Sequence, residues 1–437
     1  MGSLHDVARR LTAVALAAVD PERLVRDELA RRGGPGALRG PDRFDAVVAL
    51  GKAAAALARG VRGQLDPSFS PRRLLVRPHS SPALLDPGWE QRSGGHPFPD
   101  RQSAAAGERL RDWLAALDPA QRLLALVSGG ASACVELPAP GLTLEDLIAT
   151  QRLLLASGLP IHAVNAVRKH LSSLKGGGAL RLARSRVLAL VLSDVPGDDL
   201  GTIASGPFAA DGTTFADAFD AVRTLPVPES VRRHLLAGVR GEVEETVKPG
   251  DPAVARLEAV RIGSVGTAVT AVLAEARRLG LPGAAGELSG EAAEAGRDLV
   301  RRGRALGMAE GVALVLGGET TVHLGPVNGT RIQGGRNQEL ALAAARELAT
   351  PAPDLPGQEL VLTLATDGED GPTRAAGGVV DGNTWETIRR TGADPADLLA
   401  RHDSGTALRR APGALLETGV TGTNVGDLAI YLRRPAV

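Results

Sequence analysis

"DAVVALGKAAAALARG", Asp45 to Gly60, opens on five apolar residues in a row (Ala46 to Leu50) and closes on an alanine-rich helical pattern, with Gly51 and Lys52 between them. A strand with one wet face would alternate apolar and polar residues. An unbroken run suits a strand covered on both faces, as in a parallel sheet flanked by helices. The same grammar recurs in "LLALVSGG" from 123, "VLALVLSDVPG" from 187, "VALVLGGE" from 312 and "LVLTLATDGEDG" from 360. The expected fold is therefore α/β, with two domains that are each a mostly parallel sheet flanked by helices. Ligands of such sheets gather beyond the carboxyl ends of the strands, which is where the Gly, Ser and Asp clusters fall.

At 437 residues the chain exceeds one compact core, and we divide it into 1–240 and 241–437 at the polar connection "RGEVEETVKPGDPAV". The tail from about residue 405, with "TGVTGTNVGDLAIYLRR", reads as a loop and terminal strand that could pack back on the first domain. "RRGGPGALRGPDR" (31 to 43) reads as an exposed loop. Lys+Arg and Asp+Glu both number 50, so electrostatics gives no case for a nucleic-acid or membrane partner, and a small molecule is expected. The single Cys134 makes no intrachain disulfide and no Cys/His cluster has zinc spacing, which fits a reducing, cytoplasmic setting. Near the start, Leu4, Val7, Leu11, Val14 and Ala18 recur at helical spacing, so the apolar "LTAVALAAVD" is read as an amphipathic helix rather than a secretory segment.

Lysine occurs only at 52, 169, 175 and 248, arginine having taken the other basic positions. Gly51 lets the backbone approach a ligand, and a helix start at Lys52 would offer amides to an anion. The loop is not a Walker A motif, which needs Gly at Ala46 and Ser or Thr at Ala53. It is phosphate chemistry of another design, or a helix start whose lysine points to water. Ser128, Gly129, Gly130 and Ser132 in "LVSGGASA" could cradle an anion with amides and hydroxyls, or form an ordinary tight turn. Cys134 reads as a small packed residue. No strand-linked GxGxxG is present, which counts against a dinucleotide site.

In "PIHAVNAVRKHLSSLKGGG", Asn165, Arg168, Lys169 and Ser172 share a helical face that, with Lys175, could read a polyanion; the bland alternative is a solvated face ending at Gly176. "LSDVPGDDLGTIASGP" places Asp194 at a strand end, suited to Mg²⁺ or to accepting a proton, with Ser205 in the same loop. Asp198 and Asp199 read as turn formers. Further on, Glu319 follows a glycine pair, Arg336 and Asn337 open a long helix whose positive end plus a guanidinium would hold an anion, Asp367 follows a strand, and Thr423 and Asn424 lie in a glycine-rich loop. His96 in "GGHPFPD" and His402 read as structural.

"ALGKAA", "GGHPFPD", "SGGASA", "NAVRKHLSSLKGG", "LSDVPGDDLGTIASGP", "GGETTV", "GGRNQELAL", "ATDGEDGPT" and "TGVTGTNVGDL" stand in the order, and at about the spacing, of class II glycerate kinases of the MOFRL-domain type, which the chain resembles over nearly its whole length. The resemblance implies a Rossmann-like N-terminal domain, a smaller MOFRL-type C-terminal domain and an active site in the cleft between them. It implies ATP- and Mg²⁺-dependent phosphorylation of D-glycerate to 2-phosphoglycerate, with the family's catalytic lysine falling on Lys52 and its arginine on Arg336. Asp194 is then the candidate for holding Mg²⁺ or orienting the glycerate hydroxyl, with Glu319 and Asp367 as alternative metal ligands. A homodimer is compatible with this reading. Two rivals are a hydroxypyruvate reductase-like oxidoreductase and a non-catalytic binder of phosphorylated metabolites.

Overall fold

The computed structural model describes residues 3–33, 43–65, 68–195, 197–307, 311–324, 333–352 and 355–435. Most of the loop expected at 31 to 43 lies outside these. The chain forms two compact units, Pro21–Gly263 (the central unit) and Met1–Asp20 with Ser264–Val437 (the composite unit).

In the central unit, β1 (Ala46–Leu50), β2 (Arg72–Pro78), β3 (Glu90–Gly94), β4 (Arg122–Ser128), β5 (Arg186–Leu192) and β6 (Leu257–Gly263) pair parallel throughout in the order β3-β2-β1-β4-β5-β6. All five β1 side chains are buried, as their unbroken apolar run requires. This is the doubly wound order, in which the connections leave in opposite directions on either side of the β1/β4 boundary and so open a crevice at the carboxyl ends of those two strands. The core beneath is built from Leu, Val and Ala around Trp113, each fully buried large side chain contributing about 1.5–3 kcal/mol.

The composite unit holds β7 (Gly283–Leu288), β8 (Val312–Gly318), β9 (Gly357–Ala365), β10 (Gly377–Asp381), β11 (Leu415–Leu416) and β12 (Asp427–Pro435), in the order β11-β10-β9-β12-β8-β7. The α/β class is as expected, but the pairing here is mixed. β7 and β8 pair parallel, whereas β12 enters antiparallel between β8 and β9, and β10 and β11 pair antiparallel. The expected tail strand thus fills the middle of its own unit's sheet, because its first seven residues are buried and need a covered position.

The division of the chain also differs from the expected one at 240. The polar connection after 240 is followed by β6, which completes the central sheet, so the unit closes at Gly263. The N-terminal helix, Leu4–Ala18, forms as its spacing predicts, with a Ser3/Asp6 capping box, yet it packs on the helix Val265–Arg278 and on β9 of the composite unit. Periodicity defines an apolar face without naming its partner.

Candidate active site

At the end of β1 the chain turns through Gly51 at φ +105°, where a Cβ would lie 2.4 Å from the Ser128 carbonyl oxygen, so only glycine fits. The Gly51 amide donates to the Val76 carbonyl (3.0 Å), that of Lys52 to the Gly129 carbonyl (2.9 Å) and that of Ala53 to Ser128 Oγ (3.1 Å). Ser128 Oγ in turn donates to the Leu50 carbonyl (3.1 Å) and is fully buried. This corrects two expectations. The amides at 51 to 53 are spent inside the protein and cannot cradle a phosphate, and the Ser128 hydroxyl is a brace between β1 and β4. What the brace holds in place is the main chain of Lys52, a half-buried residue.

The Lys52 side chain starts over Gly130. A Cβ on Gly130 (φ +81°) would lie 2.9 Å from Lys52 Cγ and 3.6 Å from His96 Nε2. A Cβ on Gly129 would lie 1.5 Å from Asp194 Oδ2. Gly129 and Gly130 are therefore the floor on which Lys52, Asp194 and His96 assemble from the ends of β1, β5 and β3. His96 was read from sequence as structural; the signal that could have found it is its own glycine pair directly after a strand. Ser132 and Ser205 join through their hydroxyls (2.8 Å), Ser205 being buried with φ +59°. Cys134 is buried and its thiol is pushed up to about 12 by burial, which leaves it inert packing, as expected.

The helix Ile161–His170 departs from its expected role as a row of anion-binding cations. Lys169 is buried and bonds Asp211 (3.0 Å), and Lys175 is buried in an ion pair with Glu136, so each already has a carboxylate partner within the protein. Burial lowers the Lys175 pKa against the pull of Glu136. Arg168 differs: among the described residues no hydrogen bond or ion pair reaches its guanidinium, and its Nε has no contact with solvent. Asn165 is buried too, and its side-chain amide has no partner among the described residues.

In the composite unit Arg336 opens the helix Arg336–Leu348 and bridges two carboxylates: Nε and Nη2 donate to Asp427 (2.5 and 3.3 Å) and Nη1 pairs with Glu319 (2.5 Å). Burial opposes its charge, but Asp427 and Glu319 outweigh that and raise its pKa, while burial also raises that of Asp427. The helix end expected to hold a ligand already has its anion, because the Asp370 carboxylate accepts from the amides of Asn337 (3.0 Å) and Gln338 (2.8 Å). Asn337 is buried beside it and donates its Nδ2 to Asp370 (3.4 Å), and Thr423 Oγ1 donates to the Val19 carbonyl (2.8 Å). Asn424 accepts from the Gly426 amide and Asp367 from that of Glu369. His402 bonds Glu339, a structural role.

Among the described residues no group of three or more His, Cys, Asp or Glu stands close enough to cage a metal. A cavity of about 490 Å³ at the amino ends of the strands, beside Arg73 and Trp89, shares no residue with the loops above.

A family model described as "Domain of unknown function (DUF4147)" matches residues 7–236, and one described as "MOFRL family" matches 312–427. A glycerate 2-kinase of Pyrococcus horikoshii is 38% identical over 98% of this chain and 97% of its own. The chain belongs to the MOFRL family of class II glycerate kinases. A solved glycerate kinase from Thermotoga maritima shares the fold of this family member at a TM-score of 0.84 and 35% identity, covering 98% of this chain and 99% of that one. Another relative in the family, from Agrobacterium vitis, is named a putative hydroxypyruvate reductase and is 38% identical over 98% of this chain and 94% of its own. No described helix is long and apolar enough to cross a membrane.

Proposed function

We propose that this family member transfers the terminal phosphoryl group of ATP to D-glycerate, giving 2-phosphoglycerate. The observation that carries the reading is the lock on Lys52: three successive amides tied down at the β1/β4 crevice fix its main chain, its Cγ and His96 stand over bare Gly130, and Asp194 stands over bare Gly129. Phosphoryl transfer asks the protein for little covalent chemistry; it asks for in-line placement and for cations where charge grows on the equatorial oxygens. Lys52 supplies such a cation from a fixed backbone, and the absence of side chains at 129 and 130 leaves room for phosphate oxygens. Asp194 either orients the acceptor hydroxyl and takes its proton or holds Mg²⁺, and Arg336 neutralises phosphoryl charge once a ligand competes for the guanidinium that Glu319 and Asp427 now share.

Mg²⁺ fits this donor set. It prefers one or two carboxylates and completes its shell with phosphate oxygens and water, so a single strand-end carboxylate such as Asp194 suffices, with Asp367 and Glu319 as the further candidates. When bound it would screen the phosphate charges. The enzyme works on a small molecule in the cytoplasm, alone or as a homodimer.

The test is incubation with MgATP and D-glycerate, followed by phosphorus NMR. ADP and 2-phosphoglycerate are expected; nucleotide turnover without phosphoglycerate would end the proposal. The reductase reading has one observation behind it, the central sheet's doubly wound order, which dinucleotide enzymes share. Against it, Lys52, Ala53 and Ala54 follow Gly51 where a second glycine would let a pyrophosphate approach, and the amides there are occupied. Robust oxidation of NADH by hydroxypyruvate would reverse the choice.

A further inference from the structure

We propose that Arg168, with Asn165, is the receptor for the carboxylate of the acceptor, and that this pair is what makes the substrate a hydroxy acid rather than a neutral polyol. The inference rests on the kinase reading above and deepens it.

Three cations lie between 168 and 175, and two are balanced internally. Lys169 has Asp211. Lys175 shares Glu136, whose other oxygen accepts from Ser172 Oγ (2.6 Å) and the Leu137 amide (3.0 Å). Glu136 attracts Arg168 through space but holds no hydrogen bond with it, because its oxygens are already engaged. The group of Arg168, Lys175 and Glu136 therefore carries one more positive charge than negative in a buried place.

A half-buried guanidinium whose Nε is shut off from solvent and meets no acceptor among the described residues is costly, since the lost hydration of that donor is not replaced. Such a cost is tolerated where a ligand brings the missing counter-charge. Arg168 has the planar fork that matches a carboxylate with two parallel hydrogen bonds. Asn165, one turn earlier, lies on the same helix face with an uncommitted amide suited to a hydroxyl. The helix carrying both packs on the Ile203–Ser205 turn, and Ser205 is tied to Ser132, two residues past Gly130. The helix that carries the pair therefore meets the turn tied to the loop that follows the floor on which Lys52 stands. An anion at Arg168 could be the acceptor's carboxylate or a nucleotide phosphate. Lys52 already serves the phosphoryl end, and a small hydroxy acid has one fixed charge to be held by, so the carboxylate is the assignment.

The experiment compares wild type, Arg168→Met and Arg168→Lys with D-glycerate, its neutral amide and ATP varied in turn. For Arg168→Met, kcat/KM for D-glycerate should fall roughly 100-fold while the KM for ATP stays within about twofold, and the preference for the acid over the amide should collapse. Arg168→Lys should keep the charge but lose the fork, with a loss of about 10-fold for glycerate. Melting temperature should hold or rise in Arg168→Met, because an uncompensated buried charge is gone. An unchanged glycerate KM, an equal loss for acid and amide, or a rise in the KM for ATP instead would each overturn the assignment. If Arg168→Met does not fold, the lysine variant decides by the same criteria. Calorimetric titration of wild type and variants with D-glycerate alone separates this inference from the kinase reading, since binding that depends on Arg168 would survive a failure to make phosphoglycerate.

Discussion

Gly129→Ala offers a way to move Asp194 without touching its charge. The new methyl carbon would stand 1.5 Å from Asp194 Oδ2 and 2.2 Å from its Cγ, against the 3.4 Å at which ordinary contact begins, so the carboxylate must retreat by about 2 Å. The backbone at 129 is outside the left-handed region, so alanine adds no conformational strain there, and the stability cost should stay near the 1–3 kcal/mol of a local overpacking. A displacement of even 1 Å in a reacting constellation costs about 10²-fold. The expected result is a drop in kcat of at least about 10²-fold, close to 3 kcal/mol of barrier, with the protein still folded. Coupled ADP-release kinetics and thermal unfolding measure the two effects, and the same substitution in an Asp194→Ala background apportions them. If the glycine acts through Asp194, it should have no further effect once Asp194 is gone. A near-normal kcat in the single variant, or an equal loss in both backgrounds, would refute the idea that Gly129 is bare in order to seat that carboxylate.

Three further outcomes are expected. Lys52→Ala should lower kcat by roughly 10³-fold or more with the fold retained, because the ties that hold its main chain do not involve the side chain; activity within tenfold of wild type would remove Lys52 from the reaction. Arg336→Lys should cost about 2 kcal/mol of stability as well as turnover, since one ammonium cannot replace the fork that serves both Asp427 and Glu319, and denaturant titration beside kcat measurement checks both. Asp100 is held at about 2: burial opposes this, but the bonds from His79 and the Ser103 amide outweigh it. A depressed carboxylate stabilises above its unfolded value and loses that contribution as pH falls through the folded one. The stability gap between wild type and Asp100→Asn should thus be full above about pH 5 and shrink towards pH 2; a gap that does not change with pH would refute it.

Much of the central unit was legible because its strands are covered on both faces, which leaves an unbroken apolar signature, and because Gly51, Gly129 and Asp194 stand where those runs stop. The composite unit was less so. In the sequence β12 is only one more apolar run, and nothing local records that its neighbours run the opposite way. The cations show the same limit. Lys169 and Lys175 look like ligand-reading residues until Asp211 and Glu136, 42 and 39 positions away, are found beside them. Arg168 looked like one of the same row and is instead the exception. His96 was passed over because a single histidine carries no spacing, only a place, and its place beside Lys52 is a property of how β3 and β4 end.

The position of β12 in its sheet has a consequence for how the protein comes into being. Residues 21–263 are contiguous and can collapse as they leave the ribosome, whereas the strand that joins β8 to β9 is synthesised after every other strand. Until it arrives, the two halves of that sheet have open edges and the helix Leu4–Ala18, made first, lacks a completed unit to cover its apolar side. Nascent chains stalled before Asp427 should therefore carry a protease-resistant middle between sensitive flanks, and loss of the buried run of β12, Asp427 to Arg433, should cost the whole composite unit rather than a frayed edge.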